Sequence, residues 1–322
     1  VITVREPGVL TTVQDTGRFG HYHIGMPPSG AMDGYAHAAA NYLVGNDADR
    51  AALEMTYQGC TLEFGDDAVI ALAGAEMSPT INDEPVATWE THAVEAGDVL
   101  ATQFATNGAR TYLAVAGGID VDPLMGSRST YTLIGLGGYE GRALEAGDEL
   151  AVGEPKGESE ALVGSAVDPE RVPDYASESR IRIVLGLCDY RLTEESKAEL
   201  CDAEWTVTPE ADRVGYRLEG PDLDFVPREQ PFGAGTDPSN VVDLGYPVGS
   251  IQVPQQPIVL MRDAVTGGGY ATVGTVVSAD RGLLAQRPTH QSVYFDAVTV
   301  DEALDARAER REALDAIRSS LG

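Results

Sequence analysis

EAGDVL at residues 95–100 returns as EAGDEL at residues 145–150, and the reading of this frame decides the fold. Glycine supplies the turn conformation, and the aspartate after it can bond the downstream backbone. Each frame leads into an apolar strand. Gly65-Asp66 repeats the device ahead of the apolar run 68–73, and residues 111–116 form another strand-like run. Short strands separated by glycine-rich turns predict a mainly β protein, a barrel or sandwich rather than an α/β sheet. Further on, GSIQVPQQPIVLMRDAVTGGGYATVGTVVSAD (residues 249–280) reads as strand, tight turn, strand, glycine-rich turn, strand.

Working outward to the N-terminus, GVLTTVQDTGRFGHYHIGMPPSGAMDGYAHAAANYLVGN (residues 8–46) combines three elements. Residues 9–13 are rich in β-branched side chains and strand-like. A Gly- and Pro-rich loop follows, holding Gln14, Asp15, Arg18, His21 and Ser29. Met32, Tyr35, Ala36, Ala39, Ala40 and Leu43 then recur at helical spacing, with Gly45 as terminator. A long polar loop between strand and helix is costly to order and usually carries function. The plainer reading is a solvated connection.

Residues 51–57 suggest a further helical turn. Residues 154–179 are rich in Glu, Ser, Pro and Gly and predict an acidic linker, dividing a first half (1–153) from a second (180–322). Within the second half, Thr193 and Ser196 can cap a helix reaching Leu200. Thr299 with Glu302 forms a capping-box pattern for a C-terminal helix to about Arg318, expected to dock on that half.

The formal net charge is −29, and Lys156 and Lys197 are the only lysines. Such a charge repels nucleic acid and anionic membranes, so neither is an expected partner. The acids are spread along the chain, a pattern that fits a halophilic protein, whose self-repulsion high salt screens. No apolar run is long enough to span a bilayer, and VITVREPG reads as a first strand, not a signal peptide. Cys60, Cys188 and Cys201 make no paired framework, which points to a reducing cytoplasm.

A GxSxG elbow, a phosphate-binding P-loop and HExxH are all missing. GLGGYEGR (135–142) fails the dinucleotide spacing. His21 and His23 lack an evident third ligand, so no metal is expected. What remains is a glycine-framed polar set. Asp15 and Asp263 are candidate catalytic bases, and Arg128 and Arg142 candidate catalytic charges. Gln14, Arg18, Ser29, Ser129, Tyr131, Tyr216, Arg217, Gln252, Thr266 and Tyr270 are candidate substrate-binding groups. The arginine fork matches carboxylate, phosphate or bicarbonate, and glycine lets backbone N–H groups approach an anion. Each arginine also has surface acids as alternative partners, and the glycines can serve ordinary hairpins.

The segments at 11–46, 117–131 and 137–148, with GYRLEG (215–220) and the 249–270 run, together resemble the KipA / allophanate hydrolase subunit 2 family, also called the biotin-dependent carboxyltransferase family. The resemblance covers nearly the whole chain and implies two cyclophilin-like β-barrel halves. It implies one component of an ATP-dependent 5-oxoprolinase, which opens the lactam of 5-oxoproline to glutamate with a KipI-type B component and a lactam-utilisation-type A component. The same module in urea carboxylase implies an alternative, carboxyl transfer with biotin on a separate carrier. A KipA-type regulatory binding protein without chemistry is a third. Gln255, Val265 and Ala271 depart from the family pattern near Asp263.

Overall fold

The computed structural model describes residues 1–157, 159–177 and 179–321. Glu158, Glu178 and Gly322, which the linker and second half include, lie outside the described residues. The chain divides into two compact units. One comprises Val1–Arg18, Ser29–Ala176 and Arg311–Gly322; the other comprises Phe19–Pro28 and Ser177–Arg310. The mainly β expectation holds in both.

The first unit holds two antiparallel sheets. In one the order is Glu149–Leu150, Ile2–Glu6, Thr61–Phe64, Val99–Ala101, Thr80–Ile81, Glu84–Pro85. In the other it is Leu10–Gln14, Ala52–Thr56, Arg110–Val115, Ala68–Gly74, Thr91–Val94. The two EAGD frames make the same turn, with each aspartate accepting from the backbone upstream of it, not downstream as expected. Glu95 N–H donates to Asp98 Oδ2 and Glu145 N–H to Asp148 Oδ2, both at 2.8 Å. Gly97 and Gly147 take φ of +97° and +94°. Leu53, Leu62, Leu72, Leu100, Leu113 and Leu150 join in one buried apolar cluster. The helix Gly34–Leu43 is capped by Asp33, whose carboxylate accepts from the Tyr35 and Ala36 amides, and it packs on Ala68–Gly74 and Arg110–Val115.

Two expectations change here. Residues 51–57 are not helical: Ala52–Thr56 is a central strand, buried on both faces, so it lacks the two-residue alternation that marks a half-exposed strand. The 154–176 stretch is not a free linker. Thr91 N–H donates to Ser165 O and Val167 N–H to Trp89 O, both at 2.9 Å, which extends the sheet edge. The buried Tyr175 hydroxyl donates to Asp33 Oδ2 at 2.7 Å. The large residues Tyr175 and Val167 anchor an otherwise small and polar segment.

The second unit is built on a closed barrel. Its order is Ser179–Leu185, Thr272–Val276, Ser250–Gln252, Ile258–Leu260, Gly215–Glu219, Trp205–Val207, Ser292–Ala297. Parallel pairing of Ser179–Leu185 with Ser292–Ala297 completes it. Trp205, Tyr216, Ile251, Val259 and Phe295 are fully buried. Beside the barrel lie the helix Glu194–Asp202, capped by Thr193, a two-stranded ribbon of Asn240–Gly245 and Gly267–Tyr270, and the short helix Arg281–Ala285. The helix Val300–Ser320 opens with the expected capping box: Thr299 N–H donates to Glu302 Oε2 and Glu302 N–H to Thr299 Oγ1. Its end does not dock where expected. Residues 311–321 group with the first unit, where Arg318 lies 3.6 Å from Asp47 and over the Tyr42 ring.

Candidate functional site

The N-terminal loop is divided between the units. Gln14, Asp15, Arg18 and Ser29 belong to the first, residues 19–28 to the second. In the first unit these residues fasten one loop to another. Asp15 Oδ1 accepts from Gly17 N–H (2.8 Å), Ser127 Oγ (2.6 Å) and Ser129 Oγ (2.5 Å). Its Oδ2 accepts the Arg128 amide at 2.5 Å. With three donors on one oxygen and an amide on the other, this 6% exposed carboxylate is committed to holding the loops together, an ordering role. Arg18 is 1% exposed and donates to Leu124 O (3.0 Å) and Ser129 O (2.8 Å). Gly137 is required there: with φ +66°, any Cβ would meet Ser129 O and Arg18 Nη2.

The Gln14 amide nitrogen donates to Thr12 Oγ1 and Thr130 O, while its oxygen accepts from Gly30 N–H. Ser29 is buried at φ +52°, and its hydroxyl meets no partner among the described residues. Tyr131 is buried, and its amide bonds Leu136 O. Arg128 reaches Val121 O with Nε and lies 3.7 Å from Asp120. Arg142 grips Asp148 with both forks, at 2.7 and 2.9 Å, and Glu140 at 2.8 Å. It fastens the second EAGD turn, and its carboxylate partner holds its proton more firmly than usual. Both candidate catalytic arginines are thus engaged by carbonyls or carboxylates of their own unit.

In the second unit the remaining residues fall into three places. Arg217 and Tyr270 line an open groove of about 700 Å³ with Gln255 and Gln256, and Arg217 lies 3.4 Å from Glu210. Tyr216 and Gln252 are buried; the Tyr216 hydroxyl donates to Ala285 O at 2.8 Å, at the end of the helix that Arg281 opens. Asp263 is 3% exposed and held by the buried Arg213, at 2.7 and 3.3 Å. It is one half of a structural ion pair, not an accessible base.

Thr266 alone leads to a different cavity. This space of about 500 Å³ is walled by Phe19, Tyr22, Pro28, Tyr246 and Pro247, with His23, Arg262, Thr266 and Arg281 on its surface. Burial raises the Tyr22 phenol above its ordinary value; the Val248 backbone and the charges of Arg281 and Arg262 oppose that shift. Loss of hydration lowers Arg281 to about 10, and the neighbouring Arg262 adds to the fall. Among the described residues no carboxylate pairs with Arg281; its Nε points to Val276 O at 3.4 Å. Gly249, at φ +93°, makes room, since a Cβ there would stand 3.0 Å from that Nε.

Each cavity arginine has an aspartate beside it in sequence, and each aspartate is held elsewhere. Asp263, next to Arg262, is bound by Arg213. Asp280, next to Arg281, is 1% exposed and bound by Arg182, at 2.8 and 2.6 Å. Two guanidinium groups thus converge on an aromatic-walled space in a chain of net charge −29. Such a site can bind a small anion with an apolar body. Sequence reasoning passed over Arg262, Arg281, Tyr22 and Tyr246. The signal was the two Arg/Asp neighbours, 262–263 and 280–281.

Residues 24–297 match the family described as carboxyltransferase domain, subdomain A and B. The chain belongs to this family. One carboxyltransferase relative, the C subunit of 5-oxoprolinase from Escherichia coli (strain K12), is 37% identical over 97% of this chain and 96% of that protein. Urea amidolyase of Lachancea kluyveri is 33% identical over 98% of this chain, which spans only 18% of that protein. The crystal structure of the K. lactis urea amidolyase superposes with a TM-score of 0.91 at 31% identity, covering 98% of this chain and 20% of that one. Among the described residues no helix is long and apolar enough to cross a membrane. None of their His, Cys, Asp and Glu side chains form a group able to hold a metal ion.

Proposed function

We propose that this carboxyltransferase-family chain is the C subunit of an ATP-dependent 5-oxoprolinase, opening the lactam of 5-oxoproline to L-glutamate together with a KipI-type B component and a lactam-utilisation-type A component. The observation that carries this reading is the end-to-end match, 97% of this chain against 96% of the E. coli protein. Opening a lactam requires water at the amide carbonyl, stabilisation of the oxyanion and a proton for the ring nitrogen. The arginine-lined cavity supplies cationic binding groups and apolar walls for part of that task. The sequence-derived residues enter the proposal in new roles. Asp15, Arg18, Ser129 and Gln14 order the loops, Tyr216 and Asp263 support the elements carrying Arg281 and Arg262, and Thr266 lines the cavity.

Nucleotide chemistry does not fit this chain's glycine-rich run. A Cβ at Gly137 or Gly138 would collide with Ser129 or Thr130, so these glycines serve close packing instead of a phosphate cradle. We assign ATP to the partner proteins. The assay is glutamate formation from 5-oxoproline with each component omitted in turn. Omitting this chain is expected to abolish turnover, and this chain alone is expected to hydrolyse neither ATP nor 5-oxoproline. Full activity without it, or activity from it alone, overturns the reading.

The urea amidolyase match favours one alternative, transfer of a carboxyl group from biotin on a separate carrier to a urea-like amide. Biotin-dependent carboxylation of urea by this chain with its neighbours' products would select it. We also propose a cytoplasmic, halophilic protein, on the three free cysteines and the dispersed negative charge. The melting temperature is expected to rise steeply from low to molar salt, as the screening length falls from about 10 Å at 0.1 M to about 3 Å at 1 M. A flat series of thermal melts removes the halophilic part.

A further inference from the structure

We propose that the cavity lined by Tyr22, Tyr246, Arg262 and Arg281 is a carboxylate site, in which Arg281 receives the acid group of the lactam substrate and the aromatic wall receives its ring. This rests on the 5-oxoprolinase reading for the identity of the substrate. The site itself rests on how the charges are distributed within the second unit.

An arginine beside an aspartate is normally taken up by it or by another surface acid. Here Asp280 turns away from Arg281 and closes a two-pronged pair with Arg182. Asp263 does the same with Arg213. Arg281 is then a cation with reduced hydration, a second guanidinium nearby, and no carboxylate partner among the described residues. Partly desolvating such a charge is unfavourable by itself, so a bound anion relieves the cost. Only 22 basic residues face 51 acidic ones, which makes the absence of an acid at this point the more specific. Several features hold the group in place. Gly249 leaves space for the Arg281 Nε, the Tyr216 hydroxyl anchors the end of its helix, and Val276 O accepts from that Nε at 3.4 Å.

Arginine binds a carboxylate through two parallel N–H bonds, and the flat walls of Tyr22 and Tyr246 suit a small ring better than a hydrated phosphate. The site therefore discriminates for the acid group on the lactam. Losing charge-assisted hydrogen bonds predicts a rise of about ten- to a hundredfold in KM for Arg281→Met in the assembled complex. The readout is the comparison of 5-oxoproline with 2-pyrrolidinone, the same lactam without its carboxylate. In Arg281→Met the preference for 5-oxoproline should shrink by the same factor, and Arg281→Lys should recover part of it. The melting temperature should hold or rise, because a partly buried cation without a carboxylate partner among the described residues has been removed.

An unchanged KM, or an equal loss for both lactams, overturns the proposal, as does a fall in melting temperature without a change in preference. Titration calorimetry on the purified chain separates this from failure of the 5-oxoprolinase reading. If the complex makes no glutamate, that reading fails. The carboxylate site still stands if the wild-type chain binds 5-oxoproline in preference to inorganic phosphate and Arg281→Met does not. Absence of binding, or preference for phosphate, overturns the site.

Discussion

Replacing Asp15 by alanine is expected to lower stability by about 4 kcal/mol, a structural collapse rather than a selective loss of turnover. The carboxylate is 6% exposed and accepts from two serine hydroxyls and two backbone amides. Hydrogen bonds to a charged acceptor contribute roughly 1.5–3 kcal/mol each, and a buried donor left without a partner costs about 1–3 kcal/mol. The four are not additive, because Ser127 and Ser129 can turn their hydroxyls toward each other or toward water. Asp15→Asn keeps one acceptor and should lose roughly half as much. Denaturant unfolding of both variants, beside glutamate release by the assembled complex, is the check. A general base would behave in the opposite way, with stability intact and kcat reduced by orders of magnitude for both variants. That pattern would return Asp15 to the chemistry.

Much of the fold is legible because its signals are local. The EAGD frames specify their own turns through an aspartate bonding three residues back, and the Thr299–Glu302 capping box closes within one helical turn. The Gly34–Leu43 helix announces itself by the spacing of its apolar residues. Ala52–Thr56 was hidden for the opposite reason: a strand buried on both faces shows no alternation. The site was less legible, since its deciding contacts are distant in sequence. Asp15 meets Ser127 and Ser129 across 112 and 114 residues. Asp280 meets Arg182 across 98, and Asp263 meets Arg213 across 50. A sequence shows that arginine and aspartate alternate here; it does not show which pairs form. Residues picked out as polar and glycine-framed therefore include many fasteners, while the cavity-lining Arg281 carries no motif of its own.

The Arg213–Asp263 pair offers a sharper test of that division. Both side chains are buried, 7% and 4% exposed, and joined at 2.7 Å. Removing one partner of such a pair typically costs about 3–5 kcal/mol, because the other is left as an uncompensated charge away from water. Replacing both with apolar residues of similar size is often nearly neutral. Asp263→Ala is thus expected to be strongly destabilising, and the double variant Arg213→Met/Asp263→Leu much less so. The kinetic consequences separate the single variants further. Arg213→Met frees the Asp263 carboxylate next to Arg262, where it can turn toward the cavity and compete with a bound anion. Its KM for 5-oxoproline should rise, and the double variant, lacking that carboxylate, should restore it. If Asp263 were the catalytic base, the double variant would be inactive at any substrate concentration while Arg213→Met kept its turnover number. Stability and steady-state kinetics on the three variants decide between the two, with restored KM in the double variant as the result that only a structural pair can produce.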